Sequence, residues 1–448
     1  YPYGCTEQIT SQAMPLLYLS SVAEAMGLAS RDTTRERIAQ AIDAVLANQS
    51  SGGAFGLWYP DSGDFWLDAY VTDFLSRARA EGFEVPQTAF RLAMDNLRNR
   101  VNYAPDFDEG GEDIAYALMV LAREGAAAIS DLRYYADVKA EAFATPLAKA
   151  QLGAALASYG DQTRADAMFG RTARQMAAQM GRGETALWRA DYGTARRDAA
   201  AVLTLAAEAG SAVVDREQFA SYIAGGAQSR STQEAMWTLM AANALIDRAG
   251  EAGFTIDGQP ATGPLVRMLE DDATTPVEIR NGSGRDAQLT LTTFGVPAQP
   301  EPAGGRDYAI RRSYFTLEGE PADPAIVAAG TRLVTVLTIK PFTDTQARLM
   351  ISDPLPAGFE IDNPSLLRGG DIRALDWLDP NDDTRHTEFR QDRFLAAVDW
   401  GQAMSFTLAY IVRATAPGSY HHPAASVEDM YRPDRRAWSD PGRVTVTE

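Results

Sequence analysis

Residues 198–203 read Asp-Ala-Ala-Ala-Val-Leu, and this alanine-rich apolar pattern decides the fold of the first 250 residues. Related segments recur at Trp66–Val71, Asp113–Leu118 and Glu234–Leu239. Most are separated by one helical hairpin or a small multiple of it, and a period of roughly 35 to 46 residues is that of a helix-pair repeat. Because alanines allow close packing in an inner ring, we predict an α/α toroid of about a dozen helices. The alternative is an irregular bundle whose segments are similar by chance.

The periodicity of the sequence changes after about residue 250. Short runs with a period of two, typical of β-sandwiches, replace the helical pattern. These runs are Phe254–Ile256, Val277–Ile279, Leu289–Thr292, Leu333–Ile339 and Phe406–Val412. The Pro/Gly-rich stretch Gly295 to Gly305 is the clearest linker candidate. It separates a small strand block near 250–298 from a larger one near 306–448, so the prediction is a multidomain chain, all-α and then all-β.

Length and charge limit the classes of function. A chain of 448 residues with 46% hydrophobic content suggests two to four packed domains. The formal net charge of -19 repels phosphate backbones and anionic lipid, so neither nucleic acid nor membrane contact is expected. The sequence shows no phosphate loop, zinc spacing or EF-hand pattern, and hence no cofactor or metal is predicted. Since Tyr1 is followed by no leader, we expect a C-terminal piece of a longer protein.

The only cysteine, Cys5, stands three positions before Gln8 in the octet Tyr-Pro-Tyr-Gly-Cys-Thr-Glu-Gln at residues 1–8. A thiolate at this spacing can attack the side-chain carbonyl of Gln8, expel ammonia and leave a thioester that stores an electrophile. The cysteine count alone favours a different interpretation, a small buried hydrophobic residue. The position of Cys5 and its neighbours favour the thioester. Glu7 suits the first turn of a following helix, and we assign it no chemical role.

The octet resembles the thioester signature of the α2-macroglobulin family, in the form of its bacterial members. The resemblance continues through four further segments, 52–58, 66–71, 389–394 and 427–433, and so covers nearly the whole chain. Thr6 departs from the leucine or glycine commonly found second in the tetrad, but its side chain takes no part in the ring. The resemblance implies a thioester domain at 1–250, a CUB-like β segment with linker at 251–305, and a C-terminal macroglobulin-like sandwich at 306–448.

The function that the resemblance implies is broad-spectrum protease inhibition rather than enzymatic turnover. An attacking protease would cut a bait segment upstream, and the exposed Cys5–Gln8 thioester would then acylate a lysine of the protease once. Target proteases are the implied partners, with cell-envelope proteins as a further class. The implied location is the periplasm or cell envelope, with a lipid anchor upstream of this chain as an open alternative and bacterial defence as the setting.

A thioester hydrolyses in water, so apolar walls should shield it. Tyr1, Tyr3, Trp58 and Trp66 are candidates, although each is by itself as well explained as an ordinary core or helix-end aromatic. The resemblance adds Met430 and Tyr431, which match a pair that covers the thioester in bacterial relatives. From the residues alone, this pair is a turn with a surface aromatic.

The three histidines, His386, His421 and His422, all lie outside the helical half. Some relatives of the complement branch use a histidine to redirect the acyl group to hydroxyls. We therefore expect direct aminolysis here, with lysine side chains or small amines as nucleophiles. The histidines themselves are predicted to be turn or surface residues.

Three other functions stay open at this point. An α/α toroid can carry a glycosidase with paired carboxylates, and the candidate acids are Asp64, Asp68, Asp73, Glu112 and Asp113. A cysteine hydrolase is disfavoured because a base for Cys5 would have to come from a histidine in another domain. A scaffold or adhesion module with an unreactive tetrad is the third alternative.

Overall fold

The computed structural model describes residues 4–25, 31–181, 189–225, 230–245, 253–260, 276–282, 284, 295, 299–364, 370–378 and 384–448. The chain divides into two compact units, one of residues 1–228 and 232–291 and one of residues 229–231 and 292–448. A helical part thus precedes a β-sheet part. The three domain boundaries expected from the sequence stay predictions.

The described residues of the first unit contain eleven α-helices. They are α1 (Thr6–Ala25), α2 (Arg31–Ala47), α3 (Phe65–Ala80), α4 (Gln87–Asn102), α5 (Glu112–Arg123), α6 (Ile129–Asp137), α7 (Pro146–Ser158), α8 (Gln162–Met180), α9 (Ala195–Glu208), α10 (Arg216–Ala224) and α11 (Thr232–Leu245).

The odd-numbered helices contact one another in a closed series. Helix α1 contacts α3, each odd-numbered helix contacts the next, and α11 contacts α1 again, while the even-numbered helices pack against members of this series. The four alanine-rich segments lie in α3, α5, α9 and α11, all within the series. Their small side chains permit this close helix packing, and the core of the unit lies between these helices.

Four helices of the closed series end in the same way, at a glycine with positive φ. Gly82, Gly125, Gly160 and Gly210 follow α3, α5, α7 and α9 with φ of 82°, 67°, 77° and 66°. The N–H of the residue after each glycine donates back into the helix, as when Phe83 bonds the carbonyl of Ala78 at 3.0 Å. This is the Schellman motif, in which glycine accepts the left-handed conformation at low cost and satisfies the last carbonyls.

A small antiparallel sheet also belongs to the first unit. It consists of β1 (Phe254–Ile256), β2 (Gln259–Pro260) and β3 (Ile279–Asn281), in the order β2-β1-β3. The strand predicted at Phe254–Ile256 is confirmed. The one predicted at Val277–Ile279 is wrong in its bounds, because pairing with β1 begins only at Ile279. The run Leu289–Thr292 lies outside the described residues.

The second unit is built of β-strands. They are β4 (Gly304–Gly305), β5 (Tyr308–Phe315), β6 (Pro321–Ala322), β7 (Ile326–Ala328), β8 (Arg332–Pro341), β9 (Ala347–Pro354), β10 (Phe359–Ile361), β11 (Thr384–Phe389), β12 (Arg393–Trp400), β13 (Phe406–Ala414), β14 (Gly418–His422), β15 (Ser426–Asp429), β16 (Arg436–Trp438) and β17 (Gly442–Thr447).

These strands form two antiparallel sheets and one small mixed sheet. The sheet orders are β10-β13-β8-β5-β6, β11-β12-β9-β15-β16-β4 and β14-β17-β7, with only β17 and β7 pairing in parallel among the described pairs. Side chains of all three sheets share one apolar core, including Leu337, Ile351 and Val444. The unit is therefore sandwich-like, with its main sheets packed across that core.

The longest apolar runs of the sequence are confirmed as central strands β8 and β13. Their other face is covered as well, since Val334 and Ile411 pack against a segment that includes Ile372 and Trp377. Burial on both faces explains why these runs are continuous rather than alternating.

The predicted linker is only partly a linker. Its last two residues, Gly304 and Gly305, form the edge strand β4 paired with β16. Gly305 has φ of 147°, and a Cβ there would lie 2.4 Å from Ala437. The close approach of the two strands therefore requires glycine at this position.

Candidate functional site

Cys5 and Gln8 both lie at the first turn of α1. The carbonyl of Cys5 accepts the N–H of Ile9 at 2.9 Å, which makes Cys5 the N-cap residue and Gln8 the third residue of the helix. Residues three positions apart are neighbours on a helix surface, so this backbone allows the two side chains to meet. Gly4, with φ of 90°, directs the chain into the turn. The spacing seen in the sequence is thus realised at a helix start.

The whole tetrad is removed from solvent. Cys5, Thr6, Glu7 and Gln8 each have 0% of their surface exposed. A thiol beside a carboxamide in such a site can condense with it and release ammonia, and burial protects the product from water. The helix N-terminus also favours negative charge on an attacking sulfur.

Thr6 fixes the tetrad to the loop after α2. Its N–H donates to the carbonyl of Leu57 at 2.8 Å, and its hydroxyl donates to the carbonyl of Gly56 at 2.6 Å. The same hydroxyl accepts a hydrogen bond from Asn48 Nδ2 at 2.8 Å. The Thr6 side chain therefore holds the first turn of α1 in position.

The loop that receives Thr6 is itself held by a buried carboxylate. Asp68 of α3 accepts the N–H of Phe55 at 2.6 Å and Asn96 Nδ2 at 2.9 Å. Burial raises the pKa of Asp68 to about 6, although both hydrogen bonds oppose the shift. The loop is consequently tied to α3 and, through Asn96, to α4.

Glu7 ties the start of α1 to the start of α11. Its carboxylate accepts hydrogen bonds from Thr232 Oγ1 at 3.1 Å, Gln233 Nε2 at 2.8 Å and Ser11 Oγ at 2.5 Å. The Ser11 hydroxyl also lies 2.7 Å from Tyr70 OH. Adjacent helical residues do not face each other, so Glu7 points away from Gln8 toward the helix interface. Its role is structural.

Of the predicted shielding aromatics, Trp66 lies in the core of the helical unit. Its ring stacks on Tyr70 at 5.1 Å and lies 5.4 Å from Tyr116 and 5.3 Å from Tyr192. Trp58 is half-buried in the loop whose carbonyl at Leu57 receives Thr6. Tyr1 and Tyr3 lie outside the described residues.

Met430 and Tyr431 form the turn between β15 and β16. Met430 is 1% exposed and Tyr431 is 7% exposed. The prediction of a surface aromatic, made from the residues alone, is therefore wrong for Tyr431. The carboxylate of Asp429 accepts the N–H of Tyr431 at 3.1 Å and Arg432 Nε at 2.6 Å, and the guanidinium of Arg348 lies over the Tyr431 ring at 5.8 Å. These contacts tie the turn to β15 and β9.

The expectation for the histidines is wrong for His422. This residue lies in β14 with 5% exposure, and its Nε2 is 2.9 Å from Tyr314 OH. Burial, then the charge of Arg312, lowers the pKa of His422 to about 3. His421 is exposed on the same strand, and half-buried His386 in β11 lies 3.0 Å from Glu388.

Three of the candidate glycosidase acids are engaged in structural contacts. Asp64 caps α3 and accepts a hydrogen bond from Tyr192. Asp68 holds the loop, and Asp73 is paired with Arg77 and Arg123 and accepts Tyr116 OH at 2.9 Å. Burial raises the pKa values of the remaining two, Glu112 and Asp113, which stand at the start of α5.

No metal-binding geometry is found in the described part of the chain, where no three His, Cys, Asp or Glu side chains could hold an ion. None of the described helices combines the length and apolarity that a bilayer crossing needs. Sequence reasoning missed Asn48, Ser11, Thr232 and Gln233 as partners of the tetrad. Only the three-residue separation of Cys5 and Gln8 was a local signal.

Comparison with known proteins identifies the family. A profile of the bacterial Alpha-2-macroglobulin MG10 domain matches residues 308–434. The Alpha-2-macroglobulin of Escherichia coli (strain K12) is 30% identical over 468 residues, covering 98% of this chain and 28% of the relative. That of Xylella fastidiosa is 27% identical over 496 residues, covering 100% of this chain and 29% of the relative.

Solved structures agree over the full chain. Salmonella alpha-2-macroglobulin reacted with methylamine matches with a TM-score of 0.83 and 28% identity, covering 100% of this chain and 30% of that chain. Native alpha-2-macroglobulin from Escherichia coli, spanning domain MG7 to the C-terminus, matches with a TM-score of 0.80 and 26% identity, covering 100% and 74%. The chain belongs to the bacterial alpha-2-macroglobulin family and corresponds to its C-terminal portion. It spans less than a third of the length of these curated relatives.

Proposed function

We propose that Cys5 and Gln8 form an internal thioester and that this chain is the reactive portion of a protease inhibitor of the alpha-2-macroglobulin type. The observation that carries the proposal is the fully buried turn in which Cys5 is the N-cap and Gln8 the third helical residue. The separation of three residues allows the two side chains to meet, and burial keeps water away from them.

The chemistry needs no cofactor. The Cys5 sulfur attacks the side-chain carbonyl carbon of Gln8, a carbon–sulfur bond forms and ammonia leaves. A lysine amine of a protease later attacks the same carbon, the carbon–sulfur bond breaks, and the amine proton passes to the departing thiolate. The products are an amide on the Gln8 side chain and a free Cys5 thiol. The Salmonella relative that reacted with methylamine supports an amine as the nucleophile.

In the whole protein, cleavage of an upstream bait segment by a protease releases the thioester, and the inhibitor acts once without turnover. Target proteases are the partners, joined covalently through lysine. The proposed location is the periplasm or cell envelope. The names of the relatives support the class of protease inhibitors. Covalent trapping of the protease and the location in the cell are further parts of the proposal.

The proposed architecture is an α/α toroid that presents the thioester. The closed series of contacts from α1 to α11 and back supports it. The proposal places a CUB-like segment and linker at 251–305 and a macroglobulin-like domain at 306–448. The domain match over residues 308–434 supports the latter.

Intact mass is the direct test of the thioester. The full-length parent should be lighter by one ammonia than its sequence requires, should add one methylamine, and should show a titratable thiol only afterwards. Cys5→Ser and Gln8→Asn should abolish both the mass deficit and the methylamine adduct, whereas Gln12→Asn, at an exposed position of the same helix, should change neither. Full mass together with a permanently titratable thiol in the fresh parent would refute the proposal.

The proposed shield is the turn at Met430 and Tyr431, together with the aromatic residues Tyr1, Tyr3, Trp58 and Trp66. Tyr431→Ala removes the ring from this shield, so methylamine should consume the thioester faster. Met404→Ala, at a residue 64% exposed in the same unit, is the matched control and should leave the rate unchanged. A wild-type rate in Tyr431→Ala would remove Tyr431 from the shield.

A further inference from the structure

The residue between the thioester partners has its own set of hydrogen bonds. We propose that Thr6 and Asn48 form a hydroxyl–carboxamide clamp that positions the Cys5–Gln8 turn and limits its opening. The inference rests on the proposed function and adds two positioning residues to it. Neither residue touches the reacting atoms in this role.

The clamp replaces an ordinary helix cap. An N-cap side chain of Ser, Thr, Asp or Asn usually bonds a free N–H of the first turn. A Cys5 sulfur that is bonded to Gln8 is a weak hydrogen-bond acceptor, so the N–H groups at the start of α1 need other partners. The N–H of Thr6 supplies one contact to Leu57 at 2.8 Å, and the Thr6 hydroxyl supplies two more, to Gly56 and Asn48.

The partner side of the clamp is a tight hairpin. Gln49 and Phe55 form a β-bridge, and the N–H of Gly56 donates to the carbonyl of Asn48 at 3.1 Å. Gly53 has φ of 89°, and a Cβ there would lie 2.2 Å from the Leu92 carbonyl oxygen. The hairpin is thus pressed against α4 and offers a fixed anchor to residue 6.

A hydroxyl can serve both partners at once. In this geometry Thr6 donates to Gly56 while it accepts from Asn48. Leucine or glycine, common at this position in the tetrad that the chain resembles, can do neither. We therefore assign the clamp to this chain and not to the signature as such.

Helix ends open locally more often than helix centres, and amine attack on a buried thioester requires such opening. The net contribution of one buried hydrogen bond to stability is close to the free energy that changes an equilibrium constant tenfold. Losing the clamp should therefore raise the population of the open state about tenfold.

The test compares methylamine consumption in variants of the full-length parent. Thr6→Val keeps the shape and removes the hydroxyl, and its rate should rise about tenfold. Thr6→Ser keeps the hydroxyl and should stay within about twofold of wild type. Asn48→Leu should behave like Thr6→Val, and the double variant should be no faster than either single variant, because both remove one unit.

Thr204→Val is the matched control. Thr204 is also a buried threonine, but its hydroxyl donates to the Ala200 carbonyl of its own helix at 2.9 Å. The Thr204→Val variant can have a lower melting temperature, but methylamine should consume its thioester at the wild-type rate. If Thr6→Val does not fold, Asn48→Leu provides the same measurement.

The two proposals fail in distinguishable ways. Wild-type protein with no mass deficit overturns the thioester and the clamp together. A wild-type protein with the deficit, whose Thr6→Val and Asn48→Leu variants react at the wild-type rate, overturns the clamp alone. Additive effects in the double variant also overturn it, because the two residues would then act separately.

Discussion

The two units bury charge in different ways. Within the described residues, buried charged side chains of the helical unit lie near the ends of the helices that form the closed series. Arg197, for example, is 0% exposed between Asp191 and Asp198, and Arg77 bonds both Asp73 and Glu208. The β unit surrounds its buried polar groups with an apolar core: Arg312 and Tyr410 both donate to Asp353, and His422 Nε2 lies 2.9 Å from Tyr314 OH.

The difference follows from the geometry of the elements. Strands fill a sandwich by alternating their side chains, so a few satisfied polar groups suffice. Helices joined in a closed series leave many polar ends close together, and each end needs a partner. In the helical unit, hydrogen bonds between helix ends hold Glu7 at the first turn of α1, as they hold Arg197 at the start of α9. The helical unit should therefore be the one more sensitive to loss of a buried charge.

The largest expected effect comes from Arg197→Met. The guanidinium donates to Asp191 at 2.6 Å and to Asp198 at 2.9 Å, and it lies over the Trp66 ring at 5.6 Å. Removing the guanidinium leaves the two buried carboxylates with less positive charge beside them, so the free energy of unfolding should fall by about 3–5 kcal/mol. Denaturant unfolding followed by the helical circular dichroism signal measures this.

The matched control for that change is Arg385→Met in the β unit. Arg385 pairs with Asp399 at the surface, where both side chains are largely exposed, so the loss should stay below about 1 kcal/mol. Equal losses in the two variants would contradict the comparison.

An intermediate effect is expected from acidifying the β unit. The pKa of His422 is about 3 in the folded state and near 6.5 when unfolded, so the unfolded state binds the extra proton between these values. Stability should therefore fall as the pH drops below about 6.5, by no more than about 1.4 kcal/mol over the first pH unit.

The contribution of His422 can be isolated by substitution. The difference in unfolding free energy between wild type and His422→Phe should change along this slope. Parallel pH curves for wild type and His422→Phe would show that His422 does not cause the dependence.

The smallest effect is expected at a helix end. Gly160 has φ of 77° and open space where a Cβ would stand, so Gly160→Ala should cost only the backbone penalty of about 1 kcal/mol. Gly170→Ala lies inside α8, where the nearest atom to the Cβ is Arg174 Nη1 at 3.7 Å, and it should stabilise by a similar amount. Opposite signs in thermal unfolding would confirm the Schellman ends, and equal signs would contradict them.

Much of the fold could be predicted from local patterns. The alanine segments predicted helices that the structure places in one closed series, and the runs at Leu333 and Phe406 predicted the central strands. The glycines at 82, 125, 160 and 210 were an unused signal of helix ends at related positions. The strand at Val277–Ile279 was misplaced because three residues carry too little pattern to fix a register.

The candidate site could be predicted only in part. Cys5 and Gln8 were identified because a separation of three residues fixes local geometry. Asn48, Thr232 and Gln233 could not be identified, since their contacts with the tetrad cross 42 or more residues of chain. His422 was misassigned because burial depends on which strands cover it and not on its neighbours in sequence.

The sequence by itself determined the three-residue separation of Cys5 and Gln8, the change from a helical to a strand region, and the absence of a histidine from the helical half. Each of these depends on composition or on spacing within one or two helical turns. Only the tertiary structure decided that Thr6 and Glu7 are anchored to distant segments and that three of the five candidate acids serve structural contacts. Hydrogen bonds between distant residues depend on how the helices close on one another, and no local pattern records that closure.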